Sequence, residues 1–198
     1  DITQVAALYE QKKKELAVMD FDDLLNNCRT LLKENPDILK TLSGRFEHIL
    51  VDEYQDTNII QADIVDLLAS THRNLMVVGD DSQSIYSFRG ANFNNIINFP
   101  HRYPDCKIFK LETNYRSTPE ILHLANLSIN NNEKQFPKTL RAVRKNGMRP
   151  VMVSAQNVLK QADFVAQRVT ELVRGGVPLR EIAVLYRAHY HSMEMQME

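Results

Sequence analysis

No run of apolar residues in this chain approaches the roughly 18–20 needed to cross a bilayer as a helix, and no membrane partner is expected. Cysteine is scarce: Cys28 and Cys106 stand alone, without Cys-x-x-Cys spacing. That speaks against a disulfide framework and fits free or buried thiols in a reducing, cytoplasmic setting. A signal peptide is missing, since Asp1 to Glu15 is polar and mixed in charge. Neither sign of charge dominates, with 24 Lys and Arg against 25 Asp and Glu and a formal net charge of −1. Attraction to a phosphate backbone must therefore come from local patches. Glycine numbers only 6, and no Gly-x-x-x-x-Gly-Lys-Ser/Thr loop occurs. Such a loop cradles phosphates and supplies a Lys and a metal-binding hydroxyl. There is no internal repeat and no low-complexity tract. The chain opens without Met and stops in mid-pattern, so it is expected to be a piece of something longer.

What is present is ordinary globular material: 198 residues, 43% hydrophobic and 25% charged, enough for one medium domain or parts of two. Periodicity predicts a helix from Ile2 to Val18 and a second from Phe21 to about Lys33, capped by Asp20. A third, short helix opens at Pro36. Ile49–Val51 and Leu75–Val78 read as strands too apolar for an exposed edge, suited to a buried parallel sheet. Residues 59–68 are helical by spacing, 91–99 form a short helix ending near Pro100, and 107–111 form a third strand. Thr118-Pro119-Glu120 is a helix start, and that helix runs to about Asn130. Residues 150–154 and 181–186 are expected strands around a helix over 156–173, which Gly175-Gly176 ends. The alternation argues for an α/β fold, a parallel sheet flanked by helices. A second α/β unit begins near residue 117.

The densest chemical signal is Ile49 to Asn58. An apolar strand delivers two adjacent acids, Asp52 and Glu53, to the edge of a sheet. Phosphoryl transfer to water needs a divalent cation near the phosphates and a group that orients or deprotonates the water. Asp52 would hold Mg²⁺, mostly through water, and Glu53 would act as general base. A bare Asp-Glu pair is more often a solvated acidic turn. The hydrophobic lead-in and the polar tail to Asn58 favour the catalytic reading.

Longer strings sharpen it. Val51-Asp52-Glu53-Tyr54-Gln55-Asp56-Thr57-Asn58 resembles motif II of the UvrD/PcrA/Rep group of superfamily 1 DNA helicases. The segment from Val78 to Ala91 resembles their motif III, and Leu111 to Thr118 their motif IV. Asp20 to Leu24 and Ala183 to Arg187 match further family segments, in the family's order. The resemblance covers almost the whole chain. It implies the RecA-like P-loop NTPase core, with residues 1–116 the later part of a first ATP-binding domain and 117–198 the start of a second. It implies ATP and Mg²⁺ as cofactors, with Asp52 on the metal and Glu53 activating water. Gln83 would sense the γ-phosphate, Tyr115 would pack on the base, and Arg116 would reach the γ-phosphate across a cleft. The implied activity is 3′–5′ movement on single-stranded DNA and unwinding of partly duplex DNA, driven by ATP hydrolysis. Without the phosphate loop, these residues alone are expected neither to hydrolyse ATP at a useful rate nor to unwind DNA. The motor of a helicase–nuclease complex, a degenerate DNA-binding paralogue and an unrelated metal-dependent hydrolase are the alternatives. Intact Asp52, Glu53, Gln83 and Arg116 argue against decay, and the third does not explain motifs III and IV.

Tyr86, Phe88 and Arg89 form a second constellation. Aromatic faces and backbone cations grip unpaired nucleic acid without sequence preference. In extended chain Tyr86 and Phe88 would share a face; without the family context, both rings would read as core. Many family members carry Trp where Phe88 stands, and this chain has 0 Trp. Lys134, Lys138, Arg141, Arg144, Lys145 and Arg149 form a basic stretch, read as a solvated loop rather than a DNA contact. His189 and His191 lack the companions a metal site needs. Asp80 and Asp81 read as turn caps that hold the motif III loop at least as readily as metal ligands. The Asp20–Asp23 cluster reads as helix capping.

Overall fold

The computed structural model describes residues 1–197. The chain divides into two compact units, Asp1–Asn146 and Gly147–Glu198.

In the first unit, α1 (Ile2–Leu16) starts on the Asp1 carboxylate and ends at Ala17, whose φ of 52° turns the backbone left-handed. Helix α2 (Phe21–Glu34) carries the expected cap: Asp20 accepts from the Asp23 amide at 2.9 Å, and Asp23 accepts from the Asp20 amide at 3.0 Å. This reciprocal pair satisfies two amides that the helix leaves without carbonyl partners. Pro36 sits in the first turn of α3 (Pro36–Ser43). Strand β1 (Ile49–Val51), α4 (Ile59–Ala69) and β2 (Leu75–Val77) form a parallel crossover, with Ile49 opposite Leu75 and Val51 opposite Val77. Asn58 and Gln61 close a second capping box on α4.

The strand pair is covered on one face only. Leu50 and Met76, opposite one another, are 70% and 55% exposed. This corrects the expectation of strands buried on both sides. The covered face packs on a core of Tyr54, Ala62, Ile96 and Phe99. Phe99 meets Tyr54 edge-on at 5.7 Å and stacks on Tyr103 at 4.7 Å. The two hydroxyls of this aromatic layer are paired: Arg102 donates to the Tyr54 hydroxyl and to Asp66, and Tyr103 donates to Asp66.

Further along, the single helix expected over 91–99 is two short ones, α5 (Asn94–Ile97) and α6 (Phe99–Arg102). Pro100 lies in the first turn of α6, where its missing N–H would have had no partner in any case. The strand expected over 107–111 is not formed. Pairing comes later, in β3 (Thr113–Asn114), parallel to β4 (Arg141–Ala142). Phe109 and Leu111 are 82% and 80% exposed, so the apolar run that suggested a strand has no sheet to join. Helix α7 (Pro119–Ile129) begins where Thr118-Pro119 indicated, although the Thr118 hydroxyl makes no cap bond.

The second unit contains α8 (Val158–Arg174), capped by Asn157 and ended by Gly175 and Gly176, with Gly176 at φ +92°. It closes with a 3₁₀ turn over His189–Ser192 and α9 (Met193–Met197). The strands expected over 150–154 and 181–186 are unpaired, and Leu179–Glu181 is a 3₁₀ turn. Apolar runs are strands only where a ladder receives their amides and carbonyls. The described residues therefore form an α/β structure with two small, two-stranded parallel sheets.

Candidate functional site

Strand β1 ends by presenting its acids to solvent. Asp52 and Glu53 are both exposed, and Asp52 accepts from the Glu53 amide at 2.9 Å. Glu53 takes φ 49° and ψ 40°. A left-handed backbone is uncommon for a residue with a Cβ and stores strain that the surroundings must hold. Tyr54 does the holding. It is fully buried, its amide donates to the Val78 carbonyl at 2.9 Å, and its ring is locked in the core. The 3₁₀ turn over Tyr54–Asp56 is closed by the Thr57 hydroxyl on the Tyr54 carbonyl at 2.7 Å. Asn95 then fixes the tail from α5 by donating to the carbonyls of Thr57 and Asn58 at 2.9 and 3.1 Å.

Below the acids lies a buried amide. Gln55, 1% exposed, donates through Nε2 to Glu53 Oε2 at 2.7 Å and accepts through Oε1 from the Asp80 amide at 3.0 Å. Gly79 permits this approach, because a Cβ there would lie 2.5 Å from Gln55 Oε1. Asp80 in turn accepts from the Ser82 amide at 2.9 Å and from Gln83 Nε2 at 2.8 Å. Lys138 completes the arrangement with Nζ 2.5 Å from Asp80 and 3.4 Å from Asp81. Burial alone would raise the Asp80 carboxyl; hydrogen bonds from Lys138 and Gln83, the Lys138 charge and the Ser82 amide outweigh it and hold the group below its ordinary value. The expectation that Asp80 organises its loop agrees with this geometry. The expectation that Lys138 belongs to a solvated stretch does not, because its side chain is only 17% exposed and ion-paired. Lys134, Arg141, Arg144 and Lys145 are exposed, as expected.

The aromatic constellation is not extended chain. Ser87–Arg89 is a 3₁₀ turn closed by Gly90 at φ 87°. The turn still brings the three side chains together. The Tyr86 and Phe88 rings lie 6.0 Å apart, and the Arg89 guanidinium sits 5.3 Å from one and 5.5 Å from the other. Neither ring is core: Tyr86 is 39% exposed and Phe88 77%.

Asn114 shapes the segment that carries Tyr115 and Arg116, accepting from the amides of Arg116 and Ser117 at 3.0 and 2.7 Å. Arg144 donates to the Arg116 carbonyl at 2.8 Å. Tyr115 is 75% exposed and Arg116 is exposed. Among the described residues, hydrogen bonds join Asp52, Glu53 and Gln83 through Gln55 and Asp80, and no hydrogen bond or ion pair joins Tyr115 or Arg116 to them. Gln55, Gly79 and Lys138 were not singled out in the sequence for this site. The signal for Gln55 was its place two residues after Glu53, but no periodicity reveals that its amide points inward. For Lys138 the polar surroundings pointed the wrong way.

Among the described residues no group of three or more His, Cys, Asp or Glu could cage a metal ion. Asp52, exposed at a strand end, suits a different arrangement. Mg²⁺ is commonly held by one or two carboxylates plus water and substrate phosphates.

Comparison with known proteins bears on what these elements belong to. Residues 1–104 match the UvrD/REP helicase N-terminal domain, and residues 109–198 match the UvrD-like helicase C-terminal domain. The chain is 40% identical to YjcD of Bacillus subtilis (strain 168) over 181 residues, 91% of this chain and 24% of that protein. It is 39% identical over 195 residues to the ATP-dependent DNA helicase PcrA of Staphylococcus aureus (strain Mu50), covering 97% of this chain and 27% of that protein. With PcrA of Leuconostoc citreum the identity is 40% over 196 residues, 98% of this chain and 26% of the relative. The chain thus spans about a quarter of the length of the curated relatives it matches.

Proposed function

Because the chain belongs to the UvrD-like helicase family, we propose that it is the middle of an ATP-driven motor that moves 3′ to 5′ along single-stranded DNA and separates partly duplex DNA. Two RecA-like domains would meet near residue 116, and the protein would work in the cytoplasm. Asp52 would hold Mg²⁺, which when bound would draw charge from the phosphates. Glu53 takes the proton from the attacking water. Gln83 reads the γ-phosphate, Tyr115 packs on the base, and Arg116 stabilises charge on the transferring group once the cleft shuts. Tyr86 and Phe88 stack on unpaired bases while Arg89 meets a phosphate.

The observation that carries the reading is the unbroken hydrogen-bond path from Glu53 through Gln55 and Asp80 to Gln83. It ties the water-activating acid to the phosphate-reading amide, which a solvated acidic turn would not require. In the full-length protein, Glu53→Gln should leave ATP binding intact and lower DNA-stimulated hydrolysis about 10²–10⁴-fold, the loss expected of a general base. An unchanged rate removes Glu53 from the mechanism.

A further inference from the structure

We propose that Gln55 is a positioning residue for the reaction: its side-chain amide sets the orientation of the Glu53 carboxylate and fixes it relative to the loop that carries Gln83. The inference rests on the reading of Glu53 as the general base and extends it to a residue buried beneath that acid.

Three features support it. A buried amide with both ends engaged has one orientation, and here the donor end faces Glu53 while the acceptor end faces the Asp80 backbone. Reversing the amide would set an oxygen against the carboxylate and an N–H₂ against an N–H, losing both bonds. The space is closed: Gln55 is 1% exposed, and the approach of its Oε1 leaves no room for a side chain on Gly79. Finally, Glu53 is exposed and carries a strained left-handed backbone. Left to itself, a glutamate side chain on a solvated turn samples several rotamers. The 2.7 Å bond from Gln55 selects among them, and positional error at a reacting group is costly, on the order of 10²-fold for about 1 Å.

Two substitutions test this in the full-length protein. Gln55→Met keeps the volume and removes the side-chain hydrogen bonds to Glu53 and Asp80, together with the longer one to Asp56 at 3.5 Å. Gln55→Glu keeps the shape and replaces the donor that faces Glu53 with a carboxyl oxygen. Both should lower kcat for DNA-stimulated ATP hydrolysis about 10–100-fold, with KM for ATP and affinity for single-stranded DNA changed less than about threefold. The deciding measurement is a double-mutant cycle with Glu53→Gln. If Gln55 acts through the Glu53 carboxylate, Gln55→Met should add almost nothing once that carboxylate is gone. A fold-wide defect would cost the same factor in either background, and that additivity overturns the proposal, as does a Gln55→Met enzyme with unaltered kcat. The general-base reading fails separately, if Glu53→Gln alone leaves hydrolysis intact. Should Gln55→Met fail to fold, the isosteric Gln55→Glu carries the same cycle.

Discussion

At the scale of single residues, the site depends on one missing side chain. Gly79 is at neither a turn nor a positive φ, and it matters because Gln55 Oε1 and Ile96 Cδ1 would lie 2.5 and 2.8 Å from any Cβ placed there. Gly79→Ala should therefore destabilise the first unit by about 1–3 kcal/mol, the usual cost of overpacking a filled site, read from the midpoint of urea unfolding. It should also lower hydrolysis in the full-length protein by displacing Gln55. Unchanged stability would mean that the backbone after β2 yields more easily than its contacts imply. Asp52, Glu53, Gln83, Tyr86, Phe88 and Arg89 stood out in the sequence through the long motif strings that contain them rather than through their types alone, and the structure links Glu53 to Gln83 and groups Tyr86, Phe88 and Arg89. The residues between them did not. Gln55 is buried and Lys138 half-buried, and their partners depend on long-range packing that a linear string does not display.

At the scale of elements, helix starts are legible because their signals are local: Asp20, Pro36 and Pro119 each stand at or beside the residue that begins the helix, and residues 59–68 follow from apolar spacing, with the Asn58 cap visible only in the structure. Strands were read poorly at 107–111, 150–154 and 181–186, because a strand needs a partner from elsewhere in the chain. The corner between α1 and α2 shows how far a local feature extends. Hydrogen bonds from the Asp23 amide and from Lys13 pull the Asp20 carboxyl down to about 2, while hydrogen bonds to Asp23, Glu10 and Asp20 raise Lys13 well above its ordinary range. A lowered carboxyl stabilises the fold at pH above its unfolded value of 3.8, and that contribution is lost as pH falls toward about 2. A raised amine stabilises below its unfolded value of 10.5 and loses that contribution as pH climbs beyond it. Helical circular dichroism followed against pH should show Asp20→Asn removing the acid-side loss over that window and Lys13→Met the alkaline one. The turn that carries Tyr86, Phe88 and Arg89 makes its own prediction. Phe88→Ala should weaken single-stranded DNA binding by about 1–3 kcal/mol, with ATP binding unaffected. Equal affinity in fluorescence titration would assign stacking to Tyr86 alone.

At the scale of the molecule, apolar surface is the dominant feature. Leu50 and Met76 lie bare on the open side of the sheet, and Phe109, Leu111 and Leu185 are each at least 80% exposed. Patches of this kind are covered in stable proteins or mark contact surfaces. The isolated 198-residue chain should bind a hydrophobic dye, and Leu50→Thr with Met76→Thr should reduce that binding while leaving circular dichroism unchanged. Unaltered dye binding would place the contact surface elsewhere. The parallel register of β1 and β2 has a kinetic outcome as well. A hairpin could zip from its turn, but Ile49 meets Leu75 only after the whole of α4 has been folded back between them. Loop closure precedes any reward from such pairing. Destabilising α4 on its solvent side should therefore slow refolding, whereas trimming Leu50 or Met76 should chiefly hasten unfolding.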